Sequence, residues 1–340
     1  MNKPRIAIVG LGRYYRKLEQ AILDHFVPVL KADKAEVKAA GGDLRTLVLR
    51  ATPDAVMLLT PNQLHAKHLL ELADLRLPIL VEKPLVTSKR DLERVLDSLS
   101  TNPQLYCSDF YLDVRSAPLL AWLGRVYPAC LRRFITIEHD KGHLWGQGLA
   151  SIGPILRVEA ALLEGEGEAA SFDGREWLWD TVHGGVLWDL AYHHIALWHG
   201  SFGEPLSLIS VDARNTQDDR GQRGAEIFAA LELKAASGIG FSVKVGKYFG
   251  GTNERNFRIE GSRGHAEMRF QNPNVLELRR DAQRGTILLA GNYYAHVVEA
   301  FREFVDAGRA EPHGLDAAVA ATRLIAHAKQ LVSETPLLAR

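Results

Sequence analysis

This sequence has few cysteines, no net charge and no long apolar runs. Only two cysteines, Cys107 and Cys130, occur among 340 residues, and they form neither a CxxC pair nor a disulfide framework. Such isolated cysteines are typical of a reducing compartment, so we expect a cytoplasmic location. Lysine plus arginine and aspartate plus glutamate both number 41, and no segment is strongly basic. A nucleic-acid or anionic-membrane partner is therefore disfavoured.

No apolar run approaches the length of a membrane span. The first residues, MNKPRIAIVG, contain a run that is too short for the apolar core of a signal peptide. Elsewhere no uninterrupted stretch of about 18 apolar residues occurs, and there is no repeat or low-complexity segment. We therefore expect a soluble protein, whose 46% of hydrophobic residues build conventional cores.

Apolar runs alternate with helical stretches in the first part of the chain. Five runs are predicted strands, at residues 5–9, 26–30, 55–60, 78–81 and 105–110. Strands separated by helices of about ten residues predict a parallel sheet with right-handed crossovers. The strand, glycine turn and helix at the start of the chain are typical of a nucleotide-binding unit.

The pattern changes in the second part of the chain. From Ala129 onward the predicted strands are longer, alternate polar and apolar residues and are joined by turn sequences such as ASG and GSRG. Two amphipathic helices follow, near 292–308 and 315–332. We predict an α/β Rossmann dinucleotide-binding domain over 1–120. Over 121–340 we predict an α+β domain with a large, open, mostly antiparallel sheet, which binds substrate and forms oligomer contacts.

The turn GLGRYY after the first strand matches the dinucleotide-binding pattern GxGxxG at its first two glycines. Gly10 allows a tight turn, and Gly12 lets the backbone approach a pyrophosphate at the start of a helix. Arg13 and Tyr14 then begin that helix. Tyr15 stands where the third glycine would let helix and strand pack closely. On spacing alone, a purely structural turn is an equal alternative.

An acidic residue about 20 positions after the glycines normally binds the ribose hydroxyls of NAD. Asp33 lies there, flanked by Lys31 and Lys34, which would instead attract the 2′-phosphate of NADP. The pattern leaves NAD and NADP open, and a solvated charged loop is a further alternative.

Two neighbouring strands end in polar residues at the carboxyl edge, where open α/β sheets bind ligands. TPNQLH ends one strand with the cofactor-side candidates Thr60, Pro61, Asn62 and His65. Asn62 can hydrogen-bond a ribose or a carboxamide, or simply begin the next helix. VEKP ends the other strand and brings Glu82 and Lys83 to the same edge.

A second polar cluster occurs in TVHGGVLWDLAYHHIALWHG, which is helical from Val186. Asp189 and His193 are one turn apart, so we expect them to share a face and interact. A carboxylate that holds an imidazole is a common acid/base arrangement. With His194 and His199 these residues resemble a metal-ligand set, but no HExxH or CxxC partner is present. We therefore predict no metal site; an interface helix with satisfied histidines is the structural alternative.

Four stretches of the sequence occur in the order found in the Gfo/Idh/MocA oxidoreductases: IAIVGLG, DAVMLLTPNQLH, ILVEKPLVTS and GGVLWDLAYH. The sequence resembles this family, which includes glucose-fructose oxidoreductase and inositol 2-dehydrogenase, over essentially the whole chain. EKP followed by GGxLxDxxxH is the specific part of the likeness. The resemblance implies a Rossmann domain, a second domain with an open sheet, and a cis bond between Lys83 and Pro84. It also assigns catalytic roles to Lys83, Asp189 and His193 and cofactor-side positions to Asn62, His65 and Glu82.

The resemblance implies an NAD(P)-dependent dehydrogenase or reductase that acts on CH–OH groups. The reaction would interconvert a secondary alcohol and a ketone on a sugar, sugar derivative or cyclitol. We expect His193 to exchange the proton, Lys83 to polarise the oxygen, and Asp189 to hold a substrate hydroxyl or orient the other two. Substrate-contact candidates are Tyr111, Trp145, Trp179 and Tyr192. Family relatives are dimers or tetramers, so a homodimer or homotetramer is expected.

Two departures from the family pattern favour other functions. Tyr15 interrupts the glycine turn, and the stretch from Asp33 to Pro53 leaves little room for a full helix and strand. Both suit a regulatory or sensor protein that binds the nicotinamide without turnover. Similar folds also reduce C=N or C=C bonds of non-sugar substrates. Retention of the lysine, aspartate and histidine argues for the dehydrogenase.

Overall fold

The computed structural model describes residues 2–99, 104–165, 176–217, 223–249, 253–307 and 312–334. Within these ranges the chain forms a five-stranded sheet followed by a nine-stranded sheet, and helices pack against both. The predicted Rossmann sheet and the large, mostly antiparallel second sheet are confirmed.

The first sheet is parallel, with the strand order β2-β1-β3-β4-β5. Its strands are β1 Arg5–Val9, β2 Val27–Ala32, β3 Ala55–Leu58, β4 Ile79–Glu82 and β5 Leu105–Ser108. Its helices are α1 Arg13–His25, α2 Lys34–Ala39, α3 Leu44–Ala51, α4 Asn62–Leu72 and α5 Lys89–Leu99. A parallel sheet is covered on both faces, which explains why β3 is wholly buried and apolar. The strand order changes direction between β1 and β3, where such sheets bind nucleotides.

Two features of the sequence explain the structure of the edge strand β2 and of the segment that follows it. Pro28 has no N–H to donate, and it is tolerated because β2 has a neighbour on one side only. Between Asp33 and Pro53 the chain forms two helices of six and eight residues and no strand. This stretch is too short for an additional strand, so it connects β2 to β3 through the two helices alone.

The second sheet has the strand order β6-β14-β13-β12-β11-β7-β10-β9-β8. Its first five strands are β6 Ile135–Asp140, β7 Ile155–Gly165, β8 Leu206–Gln217, β9 Arg223–Ala235 and β10 Gly240–Phe249. The remaining strands are β11 Glu254–Gly261, β12 Gly264–Arg269, β13 Asn274–Arg280 and β14 Gln283–Leu289. All neighbours are antiparallel except β7 and β10, which run parallel near the middle of the sheet.

Helices of the second half connect the two sheets. Their bounds are α6 Ala117–Trp122, α7 Leu144–Gln147, α8 Tyr192–Phe202, α9 Tyr293–Ala307 and α10 Pro312–Glu334. Helix α9 packs against α1, and its Phe301 joins the buried cluster of the first sheet. Helix α10 packs against α8 and β5. The two predicted C-terminal helices are confirmed, and they hold the carboxyl edge of the first sheet against the second domain.

Two π-helical segments lie at this junction, Phe110–Arg115 and Leu187–Ala191. The first follows β5, and the second runs directly into α8. Such segments widen the helix by one residue per turn and often occur at functional sites. The first packs against α8 and α9, and the second packs against β10.

Candidate active site

The glycine turn lies between β1 and α1. Gly10 has a φ of +96°, and a Cβ there would lie 2.6 Å from the carbonyl oxygen of Leu59, so only glycine fits. Around Gly12, which precedes α1, no atom lies within 4 Å of a Cβ position. This open space at the N-terminus of a 13-residue helix fits a pyrophosphate group, with Arg13 and Tyr14 as the first helical residues.

Tyr15 occupies the position of the third fingerprint glycine and is a core residue. Its side chain is buried in the cluster that contains Ile8 and Leu59. Its hydroxyl donates to Oε1 of Glu19 over 2.5 Å. The large side chain therefore points into the first domain and leaves the space around Gly12 open.

Asp33 follows β2 and caps α2. Its Oδ1 accepts from the N–H of Lys34 over 2.8 Å, and its own N–H donates to Oε2 of Glu36 over 2.8 Å. The Asp33 carboxylate also accepts from the backbone N–H of Glu36, and this bond and the Glu36 side-chain bond form a capping box. The box fixes the carboxylate at the carboxyl end of β2. Of the two flanking lysines, Lys31 is already paired with Glu19, at 3.1 Å.

His65 lies between the segments that follow β3 and β4 and contacts both of them. Its ring is fully buried, with Nδ1 2.7 Å from the carbonyl oxygen of Pro84 and Nε2 2.8 Å from that of Thr60. Burial lowers the pKa of His65, although both carbonyl groups act to raise it. The residue therefore fixes the loop after β3 relative to the loop after β4, which carries the predicted catalytic lysine.

Asn62 begins α4, with Pro61 at its N-cap position. Its Nδ2 donates to the carbonyl oxygen of His183 over 3.1 Å. Thr87 Oγ1 lies 2.5 Å from Nδ1 of the same histidine. The turn that leads into the second π-helical segment is thus attached to the first domain at two points.

Glu82, the last residue of β4, is partly exposed, but one oxygen of its carboxyl group is shielded from water. Burial raises its pKa to about 8, while the charge of Lys83 and the hydroxyl of Tyr14 act in the opposite direction. Among the described residues, Oε1 of Glu82 and Oγ of Ser108 are buried and make no hydrogen bond. Buried polar atoms without partners are rare, and these two lie at the ends of β4 and β5. They fit the polar carboxamide end of a nicotinamide.

Lys83 follows β4 and reaches the second domain. Its ammonium donates to Oδ1 of Asp189 over 2.9 Å and to the backbone carbonyl of Asp189 over 2.6 Å. The two side chains are 13% and 14% exposed. The bond between Lys83 and Pro84 is cis, as the resemblance implied. Two of the three predicted catalytic residues therefore meet across the domains.

Asp189 is also bound by a second lysine. Nζ of Lys247, on β10, lies 2.8 Å from Oδ2 of Asp189 and 2.7 Å from Oε2 of Glu164, on β7. Arg255, on β11, lies 3.5 Å from the other oxygen of Glu164. The two lysines hold the pKa of Asp189 well below its usual value, although burial acts to raise it. Sequence reasoning missed Lys247 and Glu164 because each lies alone in an alternating strand.

His193 is held by Asp109, a residue that sequence reasoning also missed. Nδ1 of His193 lies 2.7 Å from Oδ1 of Asp109. The same oxygen accepts from the N–H groups of Tyr111 and Leu112 over 2.9 and 3.1 Å. Burial acts to raise the pKa of Asp109, but His193, the N–H group of Leu112 and the charge of Lys83 outweigh it and lower that pKa. Burial lowers the pKa of His193, so the neutral ring donates from Nδ1 and keeps its lone pair on Nε2.

The expected direct pair of Asp189 and His193 does not form. Side chains four positions apart face each other in an α-helix, but Leu187–Ala191 is π-helical and α8 begins only at Tyr192. The wider turn directs Asp189 toward the two lysines. Burial lowers the pKa of His193, and the negative charge of Asp189 acts in the opposite direction, to raise it. The three predicted residues therefore form one site through a different set of contacts.

The four substrate-contact candidates have different positions. The ring of Tyr111 lies 4.5 Å from that of His193, and Trp179 is 42% exposed beside a small cavity that Lys247 also lines. Tyr192 is a core residue instead, because its side chain is fully buried. Its hydroxyl donates to the carbonyl oxygen of Ala318 over 3.2 Å.

Trp145 lies elsewhere in the second domain. It belongs to α7, which packs against β13 and β14, and its N–H contacts the carboxylate of Asp140. Strands β12 and β11 separate β13 from β7 in the sheet. The structure therefore does not bring Trp145 to the lysine and histidine.

In the described part of the chain, no three His, Cys, Asp or Glu side chains are grouped as metal ligands. His194 is fully buried, and burial lowers its pKa to about 3. In the same ranges, no helix is both long and apolar enough to cross a membrane.

Two family descriptions match this sequence. Residues 4–110 match an oxidoreductase family with an NAD-binding Rossmann fold, and residues 150–267 match the GFO/IDH/MocA C-terminal domain. Both belong to one family, and together they cover most of the chain. No curated protein matches the sequence.

Solved structures share the fold over nearly the whole chain. KijD10, a 3-ketoreductase from Actinomadura kijaniata in complex with NADP and TDP-benzene, is 18% identical with a TM-score of 0.70. The match covers 97% of this chain and 98% of that one. An oxidoreductase from Thermotoga maritima is 17% identical with a TM-score of 0.73, over 97% and 96% of the two chains. The expected homodimer or homotetramer stays a prediction.

Proposed function

Because the chain belongs to the Gfo/Idh/MocA oxidoreductases and has their NAD(P)-binding Rossmann domain, we propose that it interconverts a secondary alcohol and a ketone on a polyhydroxy substrate. The substrate class is a sugar, a sugar derivative or a cyclitol. One observation carries the proposal: Lys83 of the first domain meets Asp189 of the second, and the charges of both act on His193.

The nicotinamide, when bound, supplies or accepts the hydride. The protein must orient the substrate and move one proton. In alcohol oxidation, Nε2 of His193 takes the hydroxyl proton, and Asp109 stabilises the imidazolium that forms, through the 2.7 Å contact at Nδ1. The Lys83 ammonium donates to the same substrate oxygen, and Asp189 orients that ammonium through the 2.9 Å contact. In ketone reduction the proton moves in the opposite direction.

A polar cavity of about 340 Å³ supports a polyhydroxy substrate. Its lining consists of Asn253, Glu254, Arg255, Asn256, Glu267, Arg269, Phe270 and Gln271. The ring of Phe270 lies 4.9 Å from that of Tyr111, which lies 4.5 Å from that of His193. A lining rich in amide and charged groups suits hydroxyl groups better than an apolar ligand.

For the cofactor, we propose NAD rather than NADP. The carboxylate of Asp33 is fixed by its capping box at the edge where the ribose binds, and it repels a 2′-phosphate. Pairing with Glu19 occupies Lys31, the lysine nearest along the strand. KijD10 was crystallised with NADP, so both cofactors belong in the assay.

The experiment is a panel of sugars, cyclitols and nucleotide-linked sugars, assayed with the purified protein and both oxidised cofactors. The proposal predicts substrate-dependent formation of the reduced nicotinamide with at least one member, faster with NAD. Tight binding of NADH or NADPH without turnover of any member would indicate a sensor. Activity only on imines or activated alkenes would indicate the reductase alternative, and either result would overturn the proposal.

A further inference from the structure

Lys247 has no assigned role in the proposed reaction, yet it contacts the same carboxylate as Lys83. We propose that Lys247 is a positioning residue, which holds Asp189 in place for Lys83 and offsets the negative charge that Asp189 exerts on His193. This inference rests on the proposed function, because it assigns a further residue to the same site.

Each carboxylate oxygen of Asp189 contacts a different ammonium group. Oδ1 faces Lys83 at 2.9 Å, and Oδ2 faces Lys247 at 2.8 Å. The two lysines come from different domains, and the segment that carries Asp189 is π-helical. A carboxylate held at both oxygens has little freedom to rotate. Lys247 therefore fixes the direction in which Oδ1 faces the first domain.

The sheet in turn fixes Lys247. Its backbone pairs directly with that of Glu164 in the parallel register of β10 and β7, and the two side chains meet at 2.7 Å. The Lys247 side chain is 6% exposed. Burial acts to lower its pKa, but Asp189 and Glu164 outweigh this effect and raise it, so the ammonium keeps its charge. Because Lys247 is buried and lies on a strand inside the sheet, its ammonium has a fixed position from which it can orient the carboxylate of Asp189.

We expect the charge of Lys247 to act on His193 through Asp189, which Lys247 contacts at 2.8 Å. The groups that face this histidine are Asp109 after β5, Lys83 after β4 and Asp189 in the π-helical segment, with the ring of Tyr111 against it. His194 is its neutral neighbour on α8, because burial lowers that pKa to about 3.

Removing Lys247 takes away a positive charge and leaves Asp189 balanced by Lys83 alone. The imidazolium of His193 becomes easier to form, so its pKa rises. A merely structural Lys247 would affect folding and leave this pKa unchanged, which separates the two roles.

The first test measures the protein itself and needs no substrate. Nuclear magnetic resonance of histidine-labelled protein gives the pKa of His193, whose signal is assigned with His193→Gln. We expect Lys247→Met to raise that pKa by roughly half a unit or more. Lys247→Arg, which keeps the charge, should stay near the wild type. Lys244→Met is the matched control, because this lysine lies on the same strand and is exposed.

Lys247→Gln is the second neutral variant, since its amide can still donate to a carboxylate if the methionine variant does not fold. A His193 pKa in both neutral variants equal to that of Lys244→Met would overturn the inference. This result would leave the dehydrogenase assignment intact, because it does not depend on activity.

The second test uses the substrate found by the panel. Lys247→Met should lower kcat roughly tenfold or more with little change in the KM for the nicotinamide. The acid limb of its pH profile should move to higher pH. In Lys247→Arg, which keeps the charge, the acid limb should lie at the wild-type pH. A wild-type kcat and pH profile, with only a lower melting temperature, would show that Lys247 is structural.

Discussion

Asp109 accepts a hydrogen bond from Nδ1 of His193 over 2.7 Å, although 84 positions separate the two residues in the chain. The carboxylate also caps the first π-helical segment, so its position is set by the fold and not by the histidine alone. In the proposed reaction, this pair makes His193 a base with a defined tautomer. Lys83 and Asp189 then complete the site from the other side.

Replacing Asp109 with asparagine tests this pair. Asparagine can still cap the segment, so we expect the fold to survive. Because Asp109 raises the pKa of His193, its loss lowers that pKa further. The acid limb of kcat/KM for alcohol oxidation should therefore move to lower pH, and kcat should fall by on the order of a hundredfold. Unchanged kinetics and an unmoved limb would show that another group orients the histidine.

Replacing Glu82 with glutamine tests its unusual protonation. The folded pKa of Glu82 is about 8, against an ordinary value of 4.5. Its contribution to stability is therefore present below about pH 4.5, and it falls as the pH rises to about 8, because unfolding allows the carboxyl to ionise. We expect Glu82→Gln to match the wild type in melting temperature near pH 5 and to exceed it above pH 8. Parallel melting curves at all pH values would contradict the raised pKa.

The two glycines of the first turn should respond differently to alanine. Gly10→Ala forces a Cβ against the carbonyl of Leu59 at a φ of +96°, so the free energy of unfolding should fall by at least about 1–3 kcal/mol. Gly12→Ala meets no atom within 4 Å and should cost less than about 1 kcal/mol. It should nevertheless weaken NADH binding by roughly tenfold or more, because the methyl group enters the pyrophosphate space. Thermal melting and fluorescence titration measure the two effects.

Cofactor choice should depend on Asp33. We expect the wild type to bind NADH roughly tenfold or more tightly than NADPH, and Asp33→Asn to narrow this ratio while it keeps the helix cap. Asp43→Asn is the matched control, since Asp43 caps the next helix through the N–H of Thr46 at 3.2 Å. Equal binding of both cofactors by the wild type would remove this role from Asp33.

Much of the fold and part of the site follow from local sequence patterns. The five strands of the first sheet are short apolar runs bounded by turn residues, and such runs predict buried parallel strands. EKP after one of them predicted Lys83 at the carboxyl edge of this sheet, and the structure shows it there in contact with Asp189. These features depend on residues that are close in sequence or on one family motif.

The remaining contacts of the site depend on tertiary structure. Asp109 after a strand is typical of a helix cap, which it also is, and nothing local indicates a histidine partner. Lys247 and Glu164 meet because β10 and β7 pair in parallel, a register that no single strand reveals. The Asp189 and His193 spacing predicted a shared helix face, which failed because the π-helical segment changes the turn.

The most direct test of the central claim is the hydride-transfer rate of Lys83→Met in a single turnover, with Lys89→Met as an exposed control. Fluorescence titration first establishes that both variants bind the nicotinamide as the wild type does. If Lys83 polarises the reacting oxygen, its loss should slow the transfer by on the order of a hundredfold or more, while Lys89→Met stays at the wild-type rate. A Lys83→Met rate within a few-fold of the wild type would contradict the claim.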